Sequence, residues 1–171
     1  WEFDFKTGTW KDITPATGNP PARRFHSIAF DPNSGNIILF GGWDANKVHL
    51  NDTWMLIAGS SWIKLSTTGV PSTRRQHHLV TRPDFRDILL VAGQNSTMTA
   101  PAKWRTDVWR FTGLDWKQIK TTTSPAAVVG NSAAYDSVRQ RLVMPGGNGI
   151  NGGSPTGELS EFDSVSNEWV I

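Results

Sequence analysis

At 171 residues, 37% hydrophobic and 19% charged, the chain suffices for one domain with a real core. It is too short for two large domains and too apolar for wholesale disorder. The formal charge of +2, from 17 Lys and Arg against 15 Asp and Glu, shows no basic excess or stripe, so no nucleic-acid partner is expected. The longest apolar runs, Ile37 to Phe40 and Ile88 to Ala92, are far below a membrane-spanning length, so no membrane partner is expected either. Without cysteine there is no disulfide, no cysteine nucleophile and no thiolate metal site.

The chain opens on Trp1, with no initiating Met and no signal-like segment, and reads as processed or cut from something longer. No stretch carries the apolar spacing of an amphipathic helix. Short runs of β-branched and aromatic residues alternate with Gly, Asn, Asp and Pro, and the chain holds 9 Trp, 16 Gly and 10 Pro. The fold class is therefore all-β.

Residues 1–13 read as two strands, Phe3-Asp4 preceding Trp10 by seven residues from the Phe. Residues 20–66 form a first full unit with strand-like runs near 24–30, 36–41, 52–57 and 61–66. Turn residues link them, Asp31 to Asn36 between the first pair and Ala58-Gly59-Ser60 between the last. A second unit follows over 71–120 and a third over 125–171.

The units repeat. Pro20-Pro21-Ala22-Arg23-Arg24-Phe25-His26 returns as Pro71-Ser72-Thr73-Arg74-Arg75-Gln76-His77, and more loosely as Pro125 to Asn131. Fifteen residues beyond His26, His77 and Asn131 lie Gly41-Gly42, Ala92-Gly93 and Gly146-Gly147. Asn51-Asp52-Thr53-Trp54 then Trp62 matches Thr106-Asp107-Val108-Trp109 then Trp116, and Phe162-Asp163 then Trp169 matches the opening half-unit. Units of about 50 residues with four strands are blades of a β-propeller, here three full blades preceded by a half-blade.

His26-Ser27, Phe40-Gly41-Gly42, Asn51-Asp52-Thr53-Trp54 and Trp62 together resemble one kelch repeat, and the resemblance covers essentially the whole chain. Departures are Ala92 for a glycine, Asn131 for His and Ser160 for Trp. The resemblance implies a partial kelch β-propeller and brings galactose oxidase into view. That copper-radical chemistry needs a cysteine-linked tyrosine, and with no Cys and a single Tyr, Tyr135, the activity is rejected. Gly146-Gly147-Asn148-Gly149 lacks the Lys-Ser/Thr of a nucleotide loop.

Most repeated residues read as structural. Trp10, Trp62, Trp116 and Trp169 are expected to fill wedges between blades. Asp52, Asp107 and Glu158 share a repeat position, and Asp52 and Asp107 are expected to pair with Arg23 or Arg74 rather than to act in catalysis. His77 and His78 are strand neighbours pointing to opposite faces, so they do not chelate one ion, and no metal or other cofactor is expected.

Binding residues are sought on the face carrying the loops between second and third strands, 43–51, 94–106 and 148–157, and the links 14–22, 67–73 and 121–127. Trp43 and Trp104 lie there outside the repeated Trp positions. The resemblance implies that residues just after the first Arg of each pair lie at the channel mouth: Arg24, Phe25, Arg75, Gln76, Val129 and Gly130. Two guanidiniums from adjacent blades suit an acidic peptide. The expected function is a non-enzymatic protein-interaction scaffold. The alternatives are an enzyme of the kelch sugar-isomerase type, or glycan binding through Trp43 and Trp104. Segment 94–106 breaks the repeat and is expected to set specificity, with Asn95 at its start. Asn51 and Asn95 each begin a glycosylation sequon, at a frequency expected by chance. Three blades do not close a ring; a propeller of six or seven blades in all is expected, the missing ones coming from a longer parent chain or a second polypeptide.

Overall fold

The structure is a computed structural model that describes residues 1–57, 61–95, 104–125, 130–148 and 155–170. The described residues hold strands, turns and connecting segments and no helix. Strands β1 (Glu2–Asp4) and β2 (Thr9–Lys11) form a two-stranded antiparallel sheet with Phe3 opposite Trp10. The first large sheet contains β3 (Arg23–Arg24), β4 (Ser27–Phe30), β5 (Ile37–Asp44), β6 (His49–Ile57) and β7 (Ser61–Leu65). The second contains β8 (Arg75–Arg82), β9 (Asp87–Gln94), β10 (Val108–Phe111) and β11 (Trp116–Ile119). The third contains β12 (Ala134–Asp136), β13 (Arg141–Asn148), β14 (Pro155–Asp163) and β15 (Glu168–Val170). Each large sheet is a sequential antiparallel meander, and together with the two-stranded sheet they make an open, partial propeller.

The inner strand expected at 24–30 is broken into β3 and β4, because Phe25 takes a left-handed φ of 58°. Gln76 and Gly130 hold the same repeat position with φ 56° and 70°. A second difference concerns the glycine pairs. Gly41 and Gly42, at φ 60° and 103°, do not end the strand. They form a bulge, after which pairing resumes with Gly42 opposite Leu50 and Trp43 opposite His49. The expected loop 43–51 thus shrinks to 45–48, closed by Val48 N–H donating to Asp44 Oδ1 at 2.8 Å.

The core lies between sheets. Ile38, Phe40, Leu79, Ile88, Leu90, Phe111 and Trp116 pack between the first and second large sheets. Val80, Leu89, Val91, Val108, Leu142, Met144, Phe162 and Trp169 pack between the second and third. Alternate residues of β9 serve the two clusters, so the whole strand is buried. Each such aliphatic or aromatic side chain contributes roughly 1.5–3 kcal/mol on leaving water.

Trp116 and Trp169 occupy the wedges expected of them. Trp62 is half-buried, and Trp10 is 65% exposed, contrary to expectation, with Phe3 as its ring partner at 5.1 Å. Its two-stranded sheet has no inner strands to make a wedge. A groove of about 540 Å³ separates that sheet from the first large one, lined by Trp1, Ile13, Ile28, Leu39, Leu56 and Trp62 among others.

Candidate functional site

The two arginines of each Arg-Arg pair serve different ends. Arg23 donates to both oxygens of Asp52, at 2.6 and 2.9 Å, and to Gly41 O at 3.1 Å. Arg74 repeats this with Asp107 Oδ2 at 2.7 Å and Ala92 O at 3.2 Å. Trp54 and Trp109 each donate from Nε1 to the same carboxylates at 2.7 Å. Burial alone would raise the Asp52 and Asp107 pKa values. The arginine hydrogen bonds and charges outweigh it and hold both carboxyls low. The third unit replaces all three partners, with Val128, Glu158 and Ser160 at the corresponding positions. These triads are braces between the inner strand, the bulge and the third strand.

The next residue along an extended chain points the other way, so Arg24 and Arg75 leave the brace. Both turn to Trp43. The Arg24 guanidinium carbon lies 4.5 Å from the indole centre and that of Arg75 lies 4.2 Å away. Phe25 stacks on the same indole at 6.3 Å, and His49 stacks at 5.9 Å with planes 22° apart. Gln76 N–H donates to Phe25 O at 2.9 Å, joining the two left-handed residues across the sheet boundary. Gln94 donates from Nε2 to Gln76 Oε1 at 2.6 Å.

The cluster is electropositive. Burial lowers the Arg75 pKa, and the neighbouring Arg24 charge lowers it further. Burial likewise lowers His49, with Arg75 adding to the effect, so the imidazole is neutral at pH 7. Trp43 Nε1 and His49 Nε2 are buried and have no hydrogen-bond partner among the described residues.

Arg24, Phe25, Arg75, Gln76 and Trp43 are thus brought together. Trp43 lies on β5, half-buried, and not in a loop. Trp104 forms an isolated bridge with Gln94, at the repeat position of His49, and its buried Nε1 has no hydrogen-bond partner among the described residues. Asn95 is half-buried one residue beyond Gln94. Gly130 is exposed, whereas Val129 and most of segments 94–106 and 148–157 lie outside the described residues. Asn51 lies half-buried within β6, and its sequon partner Thr53 is buried. His49 was not foreseen. The signal for it is its position opposite Trp43, legible only once the bulge is counted.

The other histidines serve the scaffold. His77 bonds Phe40 O through Nε2 at 3.1 Å, and burial with the Arg74 charge pushes its pKa down to about 3. His78 points the opposite way, to Asn131 Oδ1 at 3.0 Å. Among the described residues no three His, Asp or Glu side chains converge as a metal site would require.

Repeated meanders braced by Arg–Asp–Trp triads, with left-handed residues at the inner-strand break, define a kelch-type propeller segment. The chain belongs to the family of the KLHDC2/KLHL20/DRC7 Kelch-repeats domain, whose sequence model matches residues 1–171. It is 27% identical over 135 residues to Mei4-dependent protein 6 of Schizosaccharomyces pombe, covering 73% of this chain and 19% of that protein. It is 26% identical over 151 residues to the F-box/kelch-repeat protein At1g51550 of Arabidopsis thaliana, covering 82% and 30% respectively. Dynein regulatory complex subunit 7 of Chlamydomonas reinhardtii is 35% identical over 63 residues, covering 36% of this chain and 5% of that protein. The chain therefore spans less than a third of the length of each of these relatives.

Proposed function

We propose that this chain is a non-enzymatic protein-interaction segment of a kelch propeller, and that the Arg24–Trp43–Arg75 cluster receives an acidic peptide of a partner protein. The observation that carries the reading is that two guanidiniums from adjacent sheets share one indole. A cation–π contact engages the guanidinium face, so the N–H edge of Arg24 is open to a carboxylate while the Arg75 charge adds to the positive potential there. Two relatives bear names that fit such a role, a subunit of a dynein regulatory complex and an F-box/kelch-repeat protein. Glycan binding through Trp43 is disfavoured, because Arg24, Arg75, Phe25 and His49 already crowd the ring a sugar would stack on. Fluorescence polarisation against labelled glutamate-rich peptides tests the reading. Binding that is lost when Arg24 and Arg75 are both replaced by Ala supports it. Turnover of a small sugar, with no peptide binding, overturns it.

The open sides belong to the same reading. The groove beside the two-stranded sheet and the unpaired edge of β1 are places for the remaining blades, from a longer parent chain or a second polypeptide. Light scattering on the 171-residue chain tests this. A compact, cooperatively melting monomer would count against it.

A further inference from the structure

We propose that Glu158 receives an arginine side chain of a partner protein, at the place where the first two large sheets hold an arginine of their own. The site is separate from the Arg24 cluster. The two intact braces show how a guanidinium is bound there. Arg23 donates from Nε to Pro21 O, from Nη1 to Gly41 O and from both terminal nitrogens to Asp52. Arg74 donates from Nε to Ser72 O, from Nη1 to Ala92 O and from Nη2 to Asp107. In each case an acid and the carbonyl of the first bulge residue grip one fork. Trp54 and Trp109 also donate to these carboxylates, whose side chains are 15% and 23% exposed.

The third sheet keeps the acceptors and lacks the donors. Its bulge is built like the first. The register shifts between Pro145 and Gly147 as it does between Phe40 and Gly42, and Gly146 and Gly147 are both left-handed, at φ 30° and 137°. Leu159 lies opposite Pro145 as Thr53 lies opposite Phe40, so Glu158 falls at the place of Asp52. Position 128 is Val where the brace arginine stands, and position 160 is Ser where the brace tryptophan stands. Ser160 is buried and Glu158 is exposed. Among the described residues Glu158 makes no ion pair and no side-chain hydrogen bond. Arg105 lies near Arg74 and Asp107 and forms no pair with Glu158 either. A carboxylate beside a bulge carbonyl suits a planar guanidinium, which reaches both acceptors with one rigid fork, better than the point charge of an ammonium. The fold supplies that fork from within at Asp52 and Asp107, and at Glu158 the partner supplies it.

The test uses the propeller completed by its remaining blades and two probes, the capped tripeptides Ac-Gly-Arg-Gly-amide and Ac-Gly-Lys-Gly-amide. The readouts are the backbone amide resonances of Glu158 and Gly147. The arginine peptide should shift both, and should bind at least about threefold more tightly than the lysine peptide. Glu158→Gln keeps the size and removes the charge, and should weaken the arginine peptide at least about fivefold. Val128→Arg supplies a guanidinium from within, as Arg23 and Arg74 do. It should abolish binding of the arginine peptide and raise the melting temperature. Equal binding of the two peptides, or binding that survives Glu158→Gln, would overturn the site as diffuse charge attraction. Undiminished binding by a folded Val128→Arg protein, or no shift from either peptide, would overturn it as well. Each of these failures leaves the acidic-peptide reading standing, since that reading is decided by glutamate-rich peptides and Arg24.

Discussion

The Trp116 indole donates from Nε1 to Thr53 Oγ1 at 2.9 Å, tying β11 of the second large sheet to β6 of the first. At the next boundary Trp169 holds the place of Trp116, and Val108 holds the place of Thr53. Val108 and Trp169 share a core cluster, and the buried Trp169 Nε1 has no acceptor among the described residues. One hydroxyl in the repeat thus decides whether the wedge indole is satisfied.

Thr53→Val should strand the Trp116 N–H and cost about 1–3 kcal/mol. Val108→Thr should supply the missing acceptor and stabilise by about 0.5–1.5 kcal/mol, less whatever burying the hydroxyl costs. Denaturant midpoints check both signs, read for these variants and for those that follow on the propeller completed by its remaining blades. Destabilisation by both would show that the Trp169 site is closed to a hydroxyl.

Stability should fall as pH drops from neutral. Burial first, and the Arg74 charge second, hold folded His77 near pKa 3, whereas an unfolded imidazole titrates near about 6.5. Between those values the unfolded chain binds a proton that the folded one refuses. The stabilisation is therefore complete above about pH 6.5 and is lost toward acid, by up to about 1.4 kcal/mol per pH unit from this group. Asp52 and Asp107, depressed in the fold, add a loss in the same direction below about pH 4. His77→Gln should flatten the slope between pH 4 and 6.5 in urea titrations across pH (roughly the window between the two pKa values). An unchanged slope would remove His77 as its source.

Much of the scaffold was legible because its parts recur at one spacing. Arg23 with Asp52 and Arg74 with Asp107 could be paired on paper, since the arginines and carboxylates hold fixed places in each unit. The position of Trp43 was not legible. A glycine pair is a turn signal, and it read as a strand end. Two left-handed residues can equally build a bulge, and here the ladder continues for two more residues. That shift moves Trp43 from a loop onto the strand, opposite His49 and between two arginines far from it in sequence. The exposure of Trp10 was hidden for another reason. A repeat position says where a side chain sits in its own sheet, whereas burial also depends on the neighbouring sheet.

Ala92 in the second unit suggests that the matching Gly41 would accept a methyl group. The structure says otherwise. A Cβ on Gly41 would lie 2.9 Å from Arg74 O, 3.1 Å from Leu50 O and 3.2 Å from His77 Cε1. Arg74 O already accepts the Gly42 N–H, so the backbone cannot easily yield. Gly41→Ala should cost about 1–3 kcal/mol through overpacking and left-handed strain together. The third unit presents Asn131 where the second presents His77, which removes the ring from the corresponding contact. Thermal melting of Gly41→Ala measures the cost, and a change below about 0.5 kcal/mol would mean that the interface relaxes around the methyl.

Phe25 separates stability from binding. It holds φ 58°, a region costly for any residue with a Cβ, and leaves its ring 45% exposed. Its carbonyl bond from Gln76 N–H is a backbone contact that a glycine would keep. Phe25→Gly relieves the strain but increases the entropy of the unfolded chain, and the net gain should be about 0.5–1 kcal/mol. The same change removes the ring stacked beside Trp43 and the weaker of the two ring contacts of Arg24 and of Arg75. Affinity for the acidic peptides should therefore fall while the melting temperature rises. A variant that melts lower than the parent would make Phe25 a packing residue. One that melts higher and binds equally well would show that the strained ring contributes nothing to recognition.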